Sequence, residues 1–151
     1  LNLVTTKILN GIEAMRELRV LILEDDPYKM RIPAFKHRFA ELYDAGKAHV
    51  IYDHVEHAKD CIEKLKREEY DLILLDHDLG GEEMVGTTHE DCGSRVADFL
   101  VDNPEVRKKH GVILVHSLNN VAGPLVAKRL GCTWAPGVWL EQEWHKIVQI
   151  S

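Results

Sequence analysis

Apolar positions gather in short unbroken runs at residues 20–23, 72–75 and 112–115, with a run interrupted by His49 at 48–52 and a weaker one at 132–135. Runs of this length without alternation are what strands buried on both faces require. The segments between them change period. Pro33 opens a stretch in which Phe35, Phe39, Leu42 and Tyr43 recur at helical spacing, and Gly46 is placed to close it. A charged segment through Glu68 carries Ala58, Cys61, Ile62 and Leu65 as an inward stripe. Ser94 is placed to cap a helix with Val96, Phe99 and Leu100 inward, ending at Asn103-Pro104. Gly123-Pro124 opens a last helix with Leu125, Val126 and Leu130 inward, closed by Gly131. Strand and helix thus alternate through five strands, which predicts one α/β domain with an open, doubly wound parallel sheet. Residues 1–17 are expected to be an extension with a weak helical pattern (Val4, Ile8, Ile12, Met15), and residues 18–151 the domain and its tail. Met15, just ahead of the first strand, is a candidate native start. In the tail, Trp139, Leu140, Trp144, Ile147 and Val148 look like packing residues.

The polar residues that follow these runs sharpen the picture. Residues 20–23 end in Glu24-Asp25-Asp26-Pro27, residues 72–75 in Asp76-His77-Asp78, and residues 112–115 in His116-Ser117, followed by Asn119-Asn120. Right-handed crossovers place the carboxyl ends of parallel strands along one edge, where such sheets bind ligands. Ionisable groups at the rim of a buried strand are costly if unpaired, so the pattern points to a metal, a phosphate or catalysis. A solvated turn after a core strand would look the same at any one end, but three at one rim favour chemistry. Arg31 lies within chain reach of the first acids, to bind a phosphate oxygen or to pair with a carboxylate.

Charge and composition narrow the classes. The formal net charge is −6, and residues 71–102 hold nine acids against Arg95 alone. This disfavours a basic face for broad nucleic-acid binding and favours a cation-requiring centre. No apolar run approaches the roughly 20 residues of a membrane span, and no signal-peptide pattern is visible. Cys61, Cys92 and Cys132 have no CxxC spacing, so a reduced, cytoplasmic chain is expected. His89 and Cys92 supply only half of a structural zinc set and are not assigned to one. His37, His49, His54, His57, His110 and His145 are likewise given no role.

The segments LRVLILEDD, YDLILLDHDL and GVILVHS resemble the first, third and fourth strands of the receiver domain of response regulators. The likeness covers residues 18–136 and implies the flavodoxin-like strand order 2-1-3-4-5. It further implies that Asp25, Asp26 and Asp76 bind a magnesium ion, with manganese an alternative, and that Asp76 is a phosphoryl acceptor. Hard carboxylate oxygens suit such an ion. Two positions depart from the receiver pattern. His116 stands where receivers carry Thr or Ser, with Ser117 one residue on, and Ala135 stands before Pro136 where they carry lysine.

The set LEDD with a nearby Arg, DHDLGG, and HSLNN followed by GP resembles more closely the cyclic-phosphate processing receiver family. That resemblance implies a metal-dependent phosphate-processing domain acting on 2′,3′-cyclic phosphate ends of RNA or nucleotides. Asp25, Asp26 and Asp76 would be metal ligands, and His77 and His116 the acid and base. Ser117, Asn120 and Arg31 would orient the phosphate, and Asp78 would fix the His77 tautomer or add a ligand. The implied partners are a phosphate-containing small molecule or RNA end, with a protein partner also open. The alternatives are a stand-alone receiver phosphorylated on Asp76 and a pseudo-receiver that only binds partners.

Overall fold

The computed structural model describes residues 3–8, 11–79 and 86–136. Strand β1 (Leu3–Ile8) pairs antiparallel with the first part of β2 (Gly11–Leu23), in register from Leu3 opposite Arg16 to Ile8 opposite Gly11. The weak helical pattern expected for this extension therefore gives way to a β-hairpin. Val4, Thr5, Thr6 and Ile8 are β-branched, so local preference already opposed the helix.

Helix α1 (Arg31–Asp44), β3 (Ala48–Val55), α2 (Ala58–Arg67) and β4 (Leu72–Leu75) follow. Then come α3 (Gly93–Asp102), the single turn α4 (Pro104–Arg107), β5 (Val112–Val115), α5 (Ala122–Leu130) and β6 (Thr133–Trp134). The parallel strands lie in the order β3-β2-β4-β5-β6, which is 2-1-3-4-5 among themselves. This is the expected flavodoxin-like receiver fold. The tail residues expected to pack, Trp139 to Val148, lie outside the described residues.

Side chains alternate across the central strands because the strand period is two. Leu21, Leu23, Ile73, Leu75, Ile113 and Val115 form one core face with Cys61, Leu65, Val96, Leu100 and Val126 from α2, α3 and α5. Val20, Ile22, Leu72, Leu74 and Leu114 form the other, with Phe35, Phe39 and Leu42 of α1. Leu125, expected to face inward, is 53% exposed. The inward positions of α5 are instead the small residues Ala122, Gly123 and Ala127 with Val126. A Cβ on Gly123 would stand 2.5 Å from Nε1 of Trp134, so the helix approaches β6 only because that position is glycine.

At the opposite end of the sheet from the polar rim, His110 joins three elements. Its Nδ1 accepts the Tyr70 N–H at 3.2 Å, its Nε2–H donates to the Leu65 carbonyl at 3.0 Å, and its ring stacks on Tyr70. Burial holds this imidazole below its ordinary range, and the bond to Nδ1 requires the neutral form. The unfolded chain therefore takes up a proton near pH 6.5 that the folded chain refuses. Relative to His110→Gln, the wild-type chain is expected to lose stability as pH drops from 7.5 to 5.5, seen as a shrinking difference between the two urea midpoints, since the other titrating groups are common to both chains. A difference that stays constant or grows over this interval would contradict this role.

Candidate metal centre

The backbone ladder runs one residue past each central strand and so carries three side chains to one rim. Glu24 N–H donates to the Val55 carbonyl at 3.0 Å, Asp76 N–H to Leu23 at 2.9 Å, and His116 N–H to Leu75 at 2.8 Å. His54 of β3 adds a bond from Nε2 to the Glu24 carbonyl at 2.6 Å, fixing the Glu24 backbone from the neighbouring strand. Among the described residues, Glu24, Asp25 and Asp76 bring one carboxylate oxygen each within 4.8 Å of one another. Glu24 and Asp76 are buried, and Asp25 is half-buried.

Arg31 spans two of these acids. Its Nη1 lies 3.2 and 3.0 Å from the two oxygens of Glu24 and 3.3 Å from Oδ2 of Asp76. The other oxygen of Asp76 accepts the His77 N–H at 2.8 Å, and the Ser117 hydroxyl also bonds this carboxylate. Burial, and then the charge of Glu24, push the Asp76 carboxyl well above its ordinary range, against the pull of Arg31 and these donors. Two like charges about 4 Å apart repel by about 4 kcal/mol at an effective dielectric near 20. Three carboxylates against one guanidinium thus leave an acidic surplus that a divalent cation would remove. All the converging donors are hard oxygens, which fits magnesium or manganese and not a soft metal.

Asp26 stands apart from this trio. Its Oδ1 accepts the N–H groups of Met30 and Arg31, both at 2.9 Å, and its Oδ2 that of Ile32 at 3.0 Å. Its own N–H donates to Oε1 of Glu24 at 2.8 Å. Asp26 thus closes the N-terminus of α1, and these backbone bonds hold its carboxyl below the ordinary range in spite of burial. Its φ of 41° is the reason: a left-handed residue turns the chain so that the third acid of the run faces the helix. Of the acidic run, the geometry therefore gathers Glu24 and Asp25 with Asp76. The expected set was Asp25, Asp26 and Asp76.

The two histidines lie differently. His116 is buried, with Nδ1 3.5 Å from Oε2 of Glu24 and its ring edge-on to Phe35. Its Nε2 is buried with no hydrogen-bond partner among the described residues, and burial holds the imidazole below its ordinary range against the pull of Glu24. His77 is also buried, and its Nδ1 lies 3.4 Å from the Ser94 hydroxyl of α3. Ser94 is therefore inside the helix and against the site, while the N-cap position belongs to Cys92. Cys92 also bridges to Asp78 as an isolated antiparallel pair.

After β5 the roles of neighbouring residues differ from expectation. Asn120 is exposed, whereas Asn119 is buried. Asn119 donates through Nδ2 to Oδ1 of Asp78 at 3.0 Å, and its Oδ1 accepts the N–H groups of Val121 and Ala122 at the start of α5. Its backbone N–H reaches the Ser117 hydroxyl oxygen at 3.1 Å. Asp78, Asn119, Ser117 and Asp76 are thus linked across β4 and β5. Glu24, His54 and Asn119 were the residues that sequence reasoning missed. For Asn119 a signal existed, since an Asn close ahead of a helical stretch can accept the N–H groups two and three residues on, as caps do. Ala135 is buried at the end of β6, where receivers carry their lysine, and its N–H donates to Val115 at 2.8 Å.

Comparison with known proteins agrees with this architecture. The receiver domain of a sensor histidine kinase from Pseudomonas aeruginosa, solved with a magnesium ion in its active site cleft, is 18% identical with a TM-score of 0.59, covering 89% of this chain and 96% of that one. A phosphorylated cyanobacterial phytochrome response regulator is 17% identical with a TM-score of 0.61, covering 89% and 91%. The signal receiver domain of a LuxO-type repressor protein from Vibrio parahaemolyticus is 17% identical with a TM-score of 0.59, covering 89% and 92%. At such identities these likenesses show the fold. No curated protein matches the sequence. Among the described residues no helix is long and apolar enough to cross a membrane. The profile of the cyclic-phosphate processing receiver domain matches residues 20–131, and the chain belongs to that family.

Proposed function

We propose that this chain is a metal-dependent phosphate-processing receiver that opens the 2′,3′-cyclic phosphate of a nucleotide or an RNA end. The observation that carries the reading is the convergence of Glu24, Asp25 and Asp76 at the ends of adjacent strands, beside a buried imidazole. The description of the matched family supports it. Glu24, Asp25 and Asp76 would hold Mg²⁺, with Mn²⁺ able to use the same donors. When bound, the ion neutralises charge on the phosphoryl oxygens.

The remaining steps belong to the chain. Arg31 and the Ser117 hydroxyl, both bonded to Asp76, would be the donors that orient the phosphoryl oxygens. His116 is the imidazole that adjoins the acids, and Glu24 orients it through Nδ1. It accepts a proton from the attacking water as the new oxygen–phosphorus bond forms. The bond from phosphorus to one ribose oxygen breaks, and that oxygen takes a proton from solvent, leaving a phosphomonoester. His77 holds α3 against the site through Ser94, and Asp78 and Asn119 fix the loop that carries Ser117. Asn120, exposed, is free of that framework.

A second reading is aspartyl phosphorylation of a receiver, favoured by the place of Asp76 at the end of the central strand β4. The two separate cleanly. With Mg²⁺, 2′,3′-cyclic nucleotides should be converted to monoesters, and His116→Ala and Asp76→Asn should each lower the rate by roughly 100-fold or more. Unchanged rates in both variants would remove the assignment. A stable gain of one phosphoryl mass from a small phosphodonor, lost in Asp76→Asn and without cyclic-nucleotide turnover, would establish the second reading instead.

A further inference from the structure

The Asp26 network has an effect beyond closing α1. Asp26, Pro27, Tyr28 and Lys29 form a turn closed by the Lys29 N–H on the Asp26 carbonyl at 2.9 Å. Asp26 and Lys29 both have positive φ, 41° and 53°, so the turn is held in a conformation that non-glycine residues rarely adopt. Asp26 also fastens it to Glu24 on one side and to the first turn of α1 on the other. What this over-determined turn presents to solvent is apolar: Tyr28 and Met30 are each 71% exposed. Tyr28 is three residues from Asp25 and three from Arg31, both of which belong to the centre. Because β4 lies between β2 and β5, the loop after β5 flanks Asp76 on the other side, and there Leu118 is 58% exposed next to Ser117.

The two loops that flank the end of β4 thus each carry an exposed apolar side chain, Tyr28 after β2 and Leu118 after β5. A phosphate alone needs neither. We infer that the Tyr28 turn is a nucleobase platform: the ligand is a nucleoside cyclic phosphate whose base stacks on Tyr28 while its phosphate sits at the acidic centre. This inference rests on the phosphate-processing reading. Base–aromatic stacking tolerates any base, so the platform selects for the presence of a base more than for its identity. Asp26 acts here as a positioning residue for Tyr28.

The test compares a ligand with a base against one without. Binding of 2′,3′-cyclic AMP and of glycerol 1,2-cyclic phosphate is measured by calorimetry in Mg²⁺, on a time scale short of turnover. The wild-type chain is expected to prefer the nucleotide by roughly tenfold. Tyr28→Ala should reduce that preference to near unity while leaving glycerol cyclic phosphate binding unchanged, and Tyr28→Phe should retain it. Since Tyr28 is exposed, neither change disturbs the core. Equal binding of the two ligands by the wild-type chain, or a preference that survives Tyr28→Ala, would overturn the platform while leaving the phosphate site intact. Failure of both ligands to bind would overturn the phosphate reading, and the platform with it.

Discussion

Asp25→Asn and Glu24→Gln should each weaken Mg²⁺ binding at least tenfold, whereas Asp26→Ala should leave it within about twofold. The three acids are consecutive in sequence, so composition gives no reason for them to differ. Geometry does. Glu24 and Asp25 turn their oxygens towards Asp76, while both oxygens of Asp26 bond the backbone N–H groups of residues 30, 31 and 32. Removing one ligand charge from a centre that opposes three carboxylates to one arginine weakens a divalent cation by more than the 1.4 kcal/mol that a tenfold change represents. Asp26→Ala instead frees N–H groups at the start of α1, which costs about 1–2 kcal/mol of stability. Calorimetric titration with Mg²⁺, together with urea unfolding of the same proteins, separates the two effects. Loss of cation binding in Asp26→Ala at intact fold, with normal binding in Glu24→Gln, would reverse the assignment.

Gly93→Ala should lower stability by about 2–3 kcal/mol, or roughly 5–10 °C in melting temperature, and weaken cation binding with it. A Cβ at Gly93 would stand 2.4 Å from the Asp76 carbonyl oxygen and 2.9 Å from the His77 Cα. Both obstacles are backbone, so no side-chain rotation relieves the clash. The Gly93 N–H also donates to the His77 carbonyl at 3.0 Å, which holds the start of α3 against the end of β4. Relief requires the Asp76–His77 segment to shift, which moves a cation ligand, or α3 to withdraw, which breaks the Gly93 bond that holds the residue next to that ligand. Gly86→Ala, where a Cβ meets nothing within 4 Å among the described residues, serves as the control and should change neither property. A Gly93→Ala protein with wild-type melting and wild-type Mg²⁺ affinity would show that this close approach does not hold the site.

Much of this was legible because two signals agreed. Uninterrupted apolar runs marked β4 and β5 to the residue, and the polar residues after them marked the rim that Asp76, His116 and Ser117 occupy. Arg31 was placed by chain distance and lies where that distance allowed. The differences between expectation and structure begin with backbone direction, which residue identity does not encode. Choosing Asp26 over Glu24 required knowing the sign of one φ angle. Asn120 and Asn119 are chemically identical, and only the entry into α5 decides which one is buried. Leu125 was drawn inward by its hydrophobicity, but the face that packs is made of residues too small to register as hydrophobic. The hairpin of β1 with β2 departs from the helix that the spacing of Val4, Ile8, Ile12 and Met15 suggests, because three of these four residues are β-branched.

The central claim is that Glu24, Asp25 and Asp76 form the cation centre. A crystal of this chain soaked in Mn²⁺ and measured for anomalous scattering tests it most directly. The account predicts one strong peak bonded to an oxygen from each of Glu24, Asp25 and Asp76, at about 2.1–2.2 Å by analogy with Mg²⁺–oxygen distances, with Asp26 still bonded to the start of α1. A peak ligated by Asp26, or no peak at this rim at saturating Mn²⁺, would contradict it.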